Sequence, residues 1–276
     1  MPHATLLYDS HCHLQDPAFD GDRDELYRRA EEAGIAVIIP GYTLASSQDA
    51  VNLAHRYPGA AAAVGVHPHD AAEALSDDGR CRLLDLMSDA RVVGVGEIGL
   101  DYYRDLSPRQ VQREAFARQL QWAKEKGLPV SVHSREAEED TLSILKDGDH
   151  HQGVLHCFSG SDAFLEALLD FGFFISIAGP VTFKNGAALR EQVKNIPSNR
   201  LLVETDAPYM APHPHRGHKN RPEWVVYTAE MVALQKGEDP KKVFSDLLSN
   251  TKRLFWRLDI VSAGGDRAPT PEGMIW

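Results

Sequence analysis

Cysteine is scarce in this chain. Cys12, Cys81 and Cys157 are the only three in 276 residues, and no two are spaced as Cys-x-x-Cys. Three thiols cannot form a closed set of disulfides, and a reducing compartment suits them. No apolar run approaches the roughly 18 residues that a membrane-spanning helix needs. The start, Met1-Pro2-His3-Ala4, has no basic stretch followed by an apolar segment, so a cytoplasmic protein without membrane association is expected. Positive charge is in deficit: 29 Lys and Arg stand against 40 Asp and Glu, a formal charge of -11. That excludes broad, non-specific coating of nucleic acid, although bound cations can invert the field locally. Gly94-Val95-Gly96-Glu97-Ile98-Gly99 has the Gly-x-Gly-x-x-Gly spacing but opens no helix, since the next helical pattern starts at 108, so it is not a nucleotide-binding fingerprint. The Gly-x-Ser-x-Gly elbow of a serine hydrolase is absent, although Ser134 and Ser159 both sit near histidines.

Short apolar, β-branched runs are present in number. They cover 5–8, 35–39, 60–66, 92–95, 128–132, 153–155, 173–177 and 201–203. They are continuous rather than alternating, as strands buried on both faces are. Helical patterns separate them, at 22–33, 46–56, 79–89, 108–126, 136–146, 161–171 and 187–195, with two more at 222–236 and 240–256. In the clearest, Ser107 and Gln110 make a capping box around Pro108, and Gly127 supplies the stop. Eight strands alternating with helices predict a single parallel (β/α)8 TIM-type barrel over residues 1–260. An irregular tail is expected over 261–276. No segment points to an obligate protein partner.

Unusual polar residues stand at the ends of these strands. The first runs into His11-Cys12-His13, the third into His67-Pro68-His69, and the fourth into Gly96-Glu97-Ile98-Gly99. The fifth ends in His133-Ser134-Arg135, the sixth in His156-Cys157, and the eighth in Glu204-Thr205-Asp206. Singly, each has an ordinary explanation: a hydrogen-bonded core histidine, or a capped loop carboxylate. Jointly they mark the C-terminal mouth of the barrel, where active sites of this architecture form. Strand alternation puts His11 and His13 on one face and Cys12 on the other.

Four histidines and two carboxylates are too many for one tetrahedral zinc. They suit two divalent ions with Glu97 as the bridge. One ion would take His11, His13, Glu97 and Asp206, and the other Glu97, His133 and His156. The N/O donor set accommodates Zn²⁺, Mn²⁺ or Ni²⁺, whereas Mg²⁺ would be weakly held by imidazoles. Mg²⁺ or Mn²⁺ is expected to support turnover. Asp206 doubles as the general base toward an attacking water, and Glu97 and Asp206 are the expected catalytic pair. The loop Pro212 to Arg221 carries three formal positive charges and three histidines without an acid, which points to a phosphate-bearing substrate. Arg135 and Lys184 add to it. Tyr102, Tyr103, Phe158, Phe183 and Tyr209 fall on the same rim, where aromatics can stack unpaired bases.

From Asp9 to about Phe255 the chain resembles the TatD-type metal-dependent deoxyribonucleases. The segments that carry the resemblance include Asp9-Ser10-His11-Cys12-His13-Leu14, Gly65-Val66-His67-Pro68-His69, Gly94 to Tyr103, His156-Cys157-Phe158-Ser159-Gly160, Ala178 to Asn185, and Glu204 to Tyr209. It implies an amidohydrolase-like barrel with two metals on His11, His13, Glu97, His133, His156 and Asp206. It also implies 3′→5′ exonuclease action on single-stranded DNA or 3′ ends, with His67, Arg135, Tyr209 and Arg216 at the substrate. Deacylation of D-aminoacyl-tRNA, or hydrolysis of a small molecule, is the alternative. Two positions depart from the family pattern. Gln15 stands where an acid is usual, and Lys219-Asn220-Arg221-Pro222 replaces the usual Arg-Asn-Glu-Pro.

Overall fold

The computed structural model describes residues 5–262. Eight strands hydrogen-bond in sequence order, each parallel to the next. They are β1 (Leu7–Asp9), β2 (Ile35–Pro40), β3 (Ala60–Val64), β4 (Val92–Asp101), β5 (Val130–Arg135), β6 (Gly153–Leu155), β7 (Phe174–Ile177) and β8 (Leu201–Val203). Helices α1 (Arg23–Glu32) and α2 (Leu44–Arg56) follow the first two strands. The short α3 (Ala72–Leu75) and α4 (Asp77–Leu86) follow β3. Then come α5 (Arg109–Lys126), α6 (Glu138–Gly148), α7 (Asp162–Asp170) and α8 (Ala187–Asn195), one after each strand. α9 (Val225–Lys236), α10 (Pro240–Leu254) and α11 (Leu258–Ser262) follow β8. The result is a nearly closed (β/α)8 barrel.

The seam between β8 and β1 is joined by single bonds. Ser10 N–H donates to Val203 O (3.1 Å), Asp206 N–H donates to His11 O (2.9 Å), and the Asp9 carboxylate accepts from the Thr205 amide and hydroxyl. Burial pushes the Asp9 carboxyl up to about 8, ahead of the lowering effect of those Thr205 bonds. Asp9 therefore belongs to the seam. No helix among the described residues is long and apolar enough to cross a membrane.

Two apolar layers follow from strand alternation. One face of the strands packs outward on the helices. The other fills the barrel with Tyr8, Ile38, Ala61, Val93, Val154, Phe174 and Leu202, and is plugged by Leu254, Phe255 and Leu258. Gly94 makes room for the plug: a Cβ there would lie 3.0 Å from the Phe255 ring. Phe255→Ala is expected to destabilise the fold by about 3–5 kcal/mol, as a buried cavity does, and denaturant unfolding measures it.

Helix boundaries follow local chemistry. Thr43 and Ser46 form a reciprocal capping box on α2, and Gly127 and Gly237 close α5 and α9 in the left-handed conformation. The capping box expected at α5 does not form. Pro108 is the cap residue, and Ser107 instead donates its hydroxyl to His69 O at 2.7 Å. Pro108 is extended (φ −53°, ψ 133°), so the helix starts one residue later than the Ser107–Gln110 box requires. The N-terminal part of the expected tail, to Ser262, is helix α11, and the rest lies outside the described residues.

Candidate metal centre

Glu97 sits at the middle of the barrel mouth, on a strand more than twice as long as the sequence indicated. Gly94, Gly96 and Gly99 look like breakers, yet β4 runs through them for ten residues. Gly99 adopts φ +140°, and a Cβ there would fall 2.0 Å from His133 O. Only glycine lets β4 lie that close to β5, in the register Gly99 opposite His133.

The two Glu97 oxygens face different partners. Oε1 lies 2.8 Å from His156 Nε2, 2.9 Å from His133 Nδ1 and 3.5 Å from His67 Nε2. Oε2 lies 3.3 Å from His11 Nε2 and 3.6 Å from His13 Nε2. Asp206 Oδ1 stands 3.4 Å from His13 Nε2 and 3.9 Å from His11 Nε2. His11 stands between the two sets, its ring stacked on His156 at 3.9 Å. Three triads have donor atoms within 4.8 Å of one another: His11, Glu97 and His156; His11, His13 and Asp206; His67, Glu97 and His133. The structure thus gathers all six residues expected as ligands. It adds His67, which the sequence placed with substrate.

β1 ends at Asp9, so His11 and His13 lie beyond it. They still converge, with Nε2 atoms 3.2 Å apart. Backbone bonds from Cys12 N–H to Ile38 O (3.0 Å) and from His13 N–H to Ala207 O (2.9 Å) tie the segment to β2 and to the loop after β8. Cys12 is fully buried in the outer core, and burial pushes its thiol well up.

The electrostatics are those of a site built to hold positive charge. Burial would raise the Glu97 carboxyl, but the imidazoles of His156 and His67, with His11 and His133 in hydrogen-bond reach, hold it well below the usual range. Burial opposes protonation of His156, and the Glu97 and Glu204 carboxylates override it, raising that imidazole. Asp206 does the same for His13. Burial lowers His11, with the His156 charge adding to it, and lowers His67 to about 4. Without an ion, the imidazoles must share protons with the carboxylates. A divalent cation satisfies the same oxygens while leaving every imidazole neutral, which is the form that ligates.

Two carboxylates behind the cluster escaped the sequence reading. Asp101 Oδ2 lies 2.9 Å from His69 Nε2 and 3.4 Å from His133 Nε2, while its Oδ1 accepts from the Tyr103 and Arg104 amides. Glu204, fully buried, lies 3.2 Å from His156 Nδ1. Its only sequence signal was alternation with Asp206. Carboxylates in this position fix the ring orientation of a ligating histidine. Glu204→Gln is expected to lower activity about 10–100-fold, with a matching loss of metal affinity in a metal titration.

A cleft of about 940 Å³ opens above the cluster. Arg135, Tyr209, Phe183 and His67 line it. Arg135 spreads its guanidinium over Tyr103 at 3.8 Å, and Tyr209 bonds to Asp16 through its hydroxyl (3.1 Å). Arg216 stacks on Phe183 at 3.7 Å, just outside the wall.

The other expected cations do not line the cleft. Lys219 binds Asp22 at 2.8 Å and Ala18 O, Arg221 packs over Trp224, and Lys184 is exposed outside the cleft lining. Of the rim aromatics, Tyr102 is held by Asp140 and Arg109 on the helix side. Gln15 is buried and donates to Pro40 O at 2.6 Å, a bond an ionised acid could not make.

Buried imidazoles and carboxylates converging at the C-terminal mouth of an α/β barrel define a metal-dependent hydrolase. Residues 8–256 match the family model for TatD related DNase. The uncharacterized metal-dependent hydrolase YabD of Bacillus subtilis is 38% identical over 253 residues, covering 91% of this chain and 99% of YabD. The 3′-5′ ssDNA/RNA exonuclease TatD of Cronobacter sakazakii is 38% identical over 258 residues, covering 90% and 97%. The crystal structure of YjjV, a TatD homologue from Escherichia coli K12, superposes with a TM-score of 0.85 at 33% identity, covering 91% of this chain and 98% of YjjV. The chain belongs to the TatD family of metal-dependent hydrolases.

Proposed function

We propose that this enzyme hydrolyses phosphodiester bonds of single-stranded DNA, removing nucleotides from the 3′ end, with two divalent ions bridged by Glu97. The observation that carries the two-ion reading is the division of labour at Glu97: Oε1 faces His133 and His156, and Oε2 faces His11 and His13. His11, His13 and Asp206 would hold one ion, and His133 and His156 the other, with His67 beside the second. The nucleic-acid assignment draws on the exonuclease relatives and on the two guanidiniums at the rim.

When bound, such ions polarise the diester and acidify a water. The chain's own residues do the rest. Asp206 accepts the proton of the attacking water at its carboxylate as the oxygen bonds to phosphorus. The bond to the 3′ oxygen breaks, and that oxygen takes a proton from solvent. Arg135 pairs with a phosphate oxygen and holds the chain in the cleft.

The test is release of nucleotides from 3′-labelled single-stranded DNA by purified protein with Mg²⁺ or Mn²⁺, abolished by chelator and restored by the ion. A protein that releases nothing from DNA but cleaves D-aminoacyl-tRNA would move the assignment to ester hydrolysis.

A further inference from the structure

Beside the main cleft lies a smaller pocket of about 220 Å³. The two share Ser134, Arg135, Ser159 and Gly160 as a common wall. Sites that hold a whole small ligand run from about 300 to 1,000 Å³. The side pocket falls below that range and joins a cleft within it. It therefore fits one part of a ligand whose remainder lies over the metal centre. Its walls have the chemistry of a planar, partly polar group. Buried Phe164, Tyr103 at 55% exposure and Arg135, whose guanidinium carbon lies 3.8 Å over the Tyr103 ring, line it together with Glu136 and with Glu138, whose carboxylate accepts from the Ser161 amide and hydroxyl. A guanidinium over an aromatic ring brings a planar face as well as a charge.

Exposed apolar side chains reinforce this placement. Leu6, Tyr103, Leu106, Tyr209 and Leu234 are the large exposed hydrophobics among the described residues. Leu106 and Tyr209 line the cleft and Tyr103 the side pocket. Three of five therefore gather at one mouth, where scattered exposure would put them anywhere on the surface. Such clustering marks a surface that is covered in use.

We infer that the side pocket is a subsite for a nucleobase upstream of the scissile phosphate, stacked on the Tyr103–Arg135 platform, with the connecting phosphate paired to Arg135. This rests on the nuclease reading above. It adds that the enzyme grips the strand beyond the nucleotide it removes. A base is recognised here by its flat face, so discrimination among the four bases is weak.

The experiment compares two substrates: a DNA trinucleotide, and the p-nitrophenyl ester of thymidine 5′-phosphate, which has the scissile diester but no upstream nucleoside. The readout is the ratio of kcat/KM on the trinucleotide to that on the ester. Tyr103→Ala is expected to lower this ratio at least about ten-fold, the size of one lost base stack. Tyr103→Phe keeps the ring and is expected to hold the ratio at the wild-type value. Ser159→Trp, which fills the pocket from its shared wall, is expected to lower the ratio as Tyr103→Ala does. A ratio unchanged in both Tyr103→Ala and Ser159→Trp overturns the subsite while leaving the nuclease reading intact. Wild-type protein that hydrolyses neither diester with divalent metal overturns that reading, and the subsite with it.

Discussion

Glu97→Ala is expected to lower kcat/KM by about 10³-fold or more, as removal of a central electrostatic group does, and to reduce the metal bound per chain. Five imidazoles, those of His11, His13, His67, His133 and His156, lie within 3.6 Å of its two oxygens. No neighbouring carboxylate can take its place. Asp206 reaches only the His11 and His13 side, and Asp101 contacts His133 from the opposite edge of the ring. The fold should survive, because the barrel core and plug lie below the mouth. The melting temperature of the variant is expected to fall no further than that of wild type stripped by chelator, and to respond little to added metal. Elemental analysis, steady-state kinetics and melting with and without chelator check this together. Hydrolysis unchanged by the substitution would remove Glu97 from the chemistry.

The second large effect concerns Asp206. Asp206→Asn is expected to lower kcat by about 10²–10⁴-fold, the range of a lost general base, with a smaller change in KM. Its side chain is 13% exposed, against 6% for Glu97 and 2% for Asp101, so it is the carboxylate of the cluster most open to water from the cleft. Its amide is fixed by the bond to His11 O, which holds the side chain over the His11–His13 pair. Asparagine keeps the shape and an oxygen donor but cannot take up the proton. Metal content should fall less than in Glu97→Ala, and that contrast separates the two roles. Equal metal loss in both variants would make Asp206 chiefly a ligand.

Much of this was written along the chain. A histidine or carboxylate at the end of a short, continuously apolar run is a one-dimensional pattern, and a parallel barrel turns it into proximity. His11, His13, Glu97, His133, His156 and Asp206 were legible for that reason, and so was the turning away of Cys12. Strand length was less legible, because the glycines of β4 resemble breaks until β5 is seen lying against them.

The tertiary structure decided what depends on segments far apart in sequence. Lys219 belongs to a basic loop by composition, but Asp22, 197 residues earlier, neutralises it. Arg135 and Arg216, paired with rings in place of acids, keep their charge available. Glu204 and Asp101 gained their places behind His156 and His133 in the same way. The sequence by itself determined that His11, His13, Glu97, His133, His156 and Asp206 stand at or just past the ends of apolar runs, because a run and the residues that follow it are a local pattern. Only the folded chain decided which oxygen faces which imidazole and which cations stay free, because those pairings depend on distances between elements that no local pattern records.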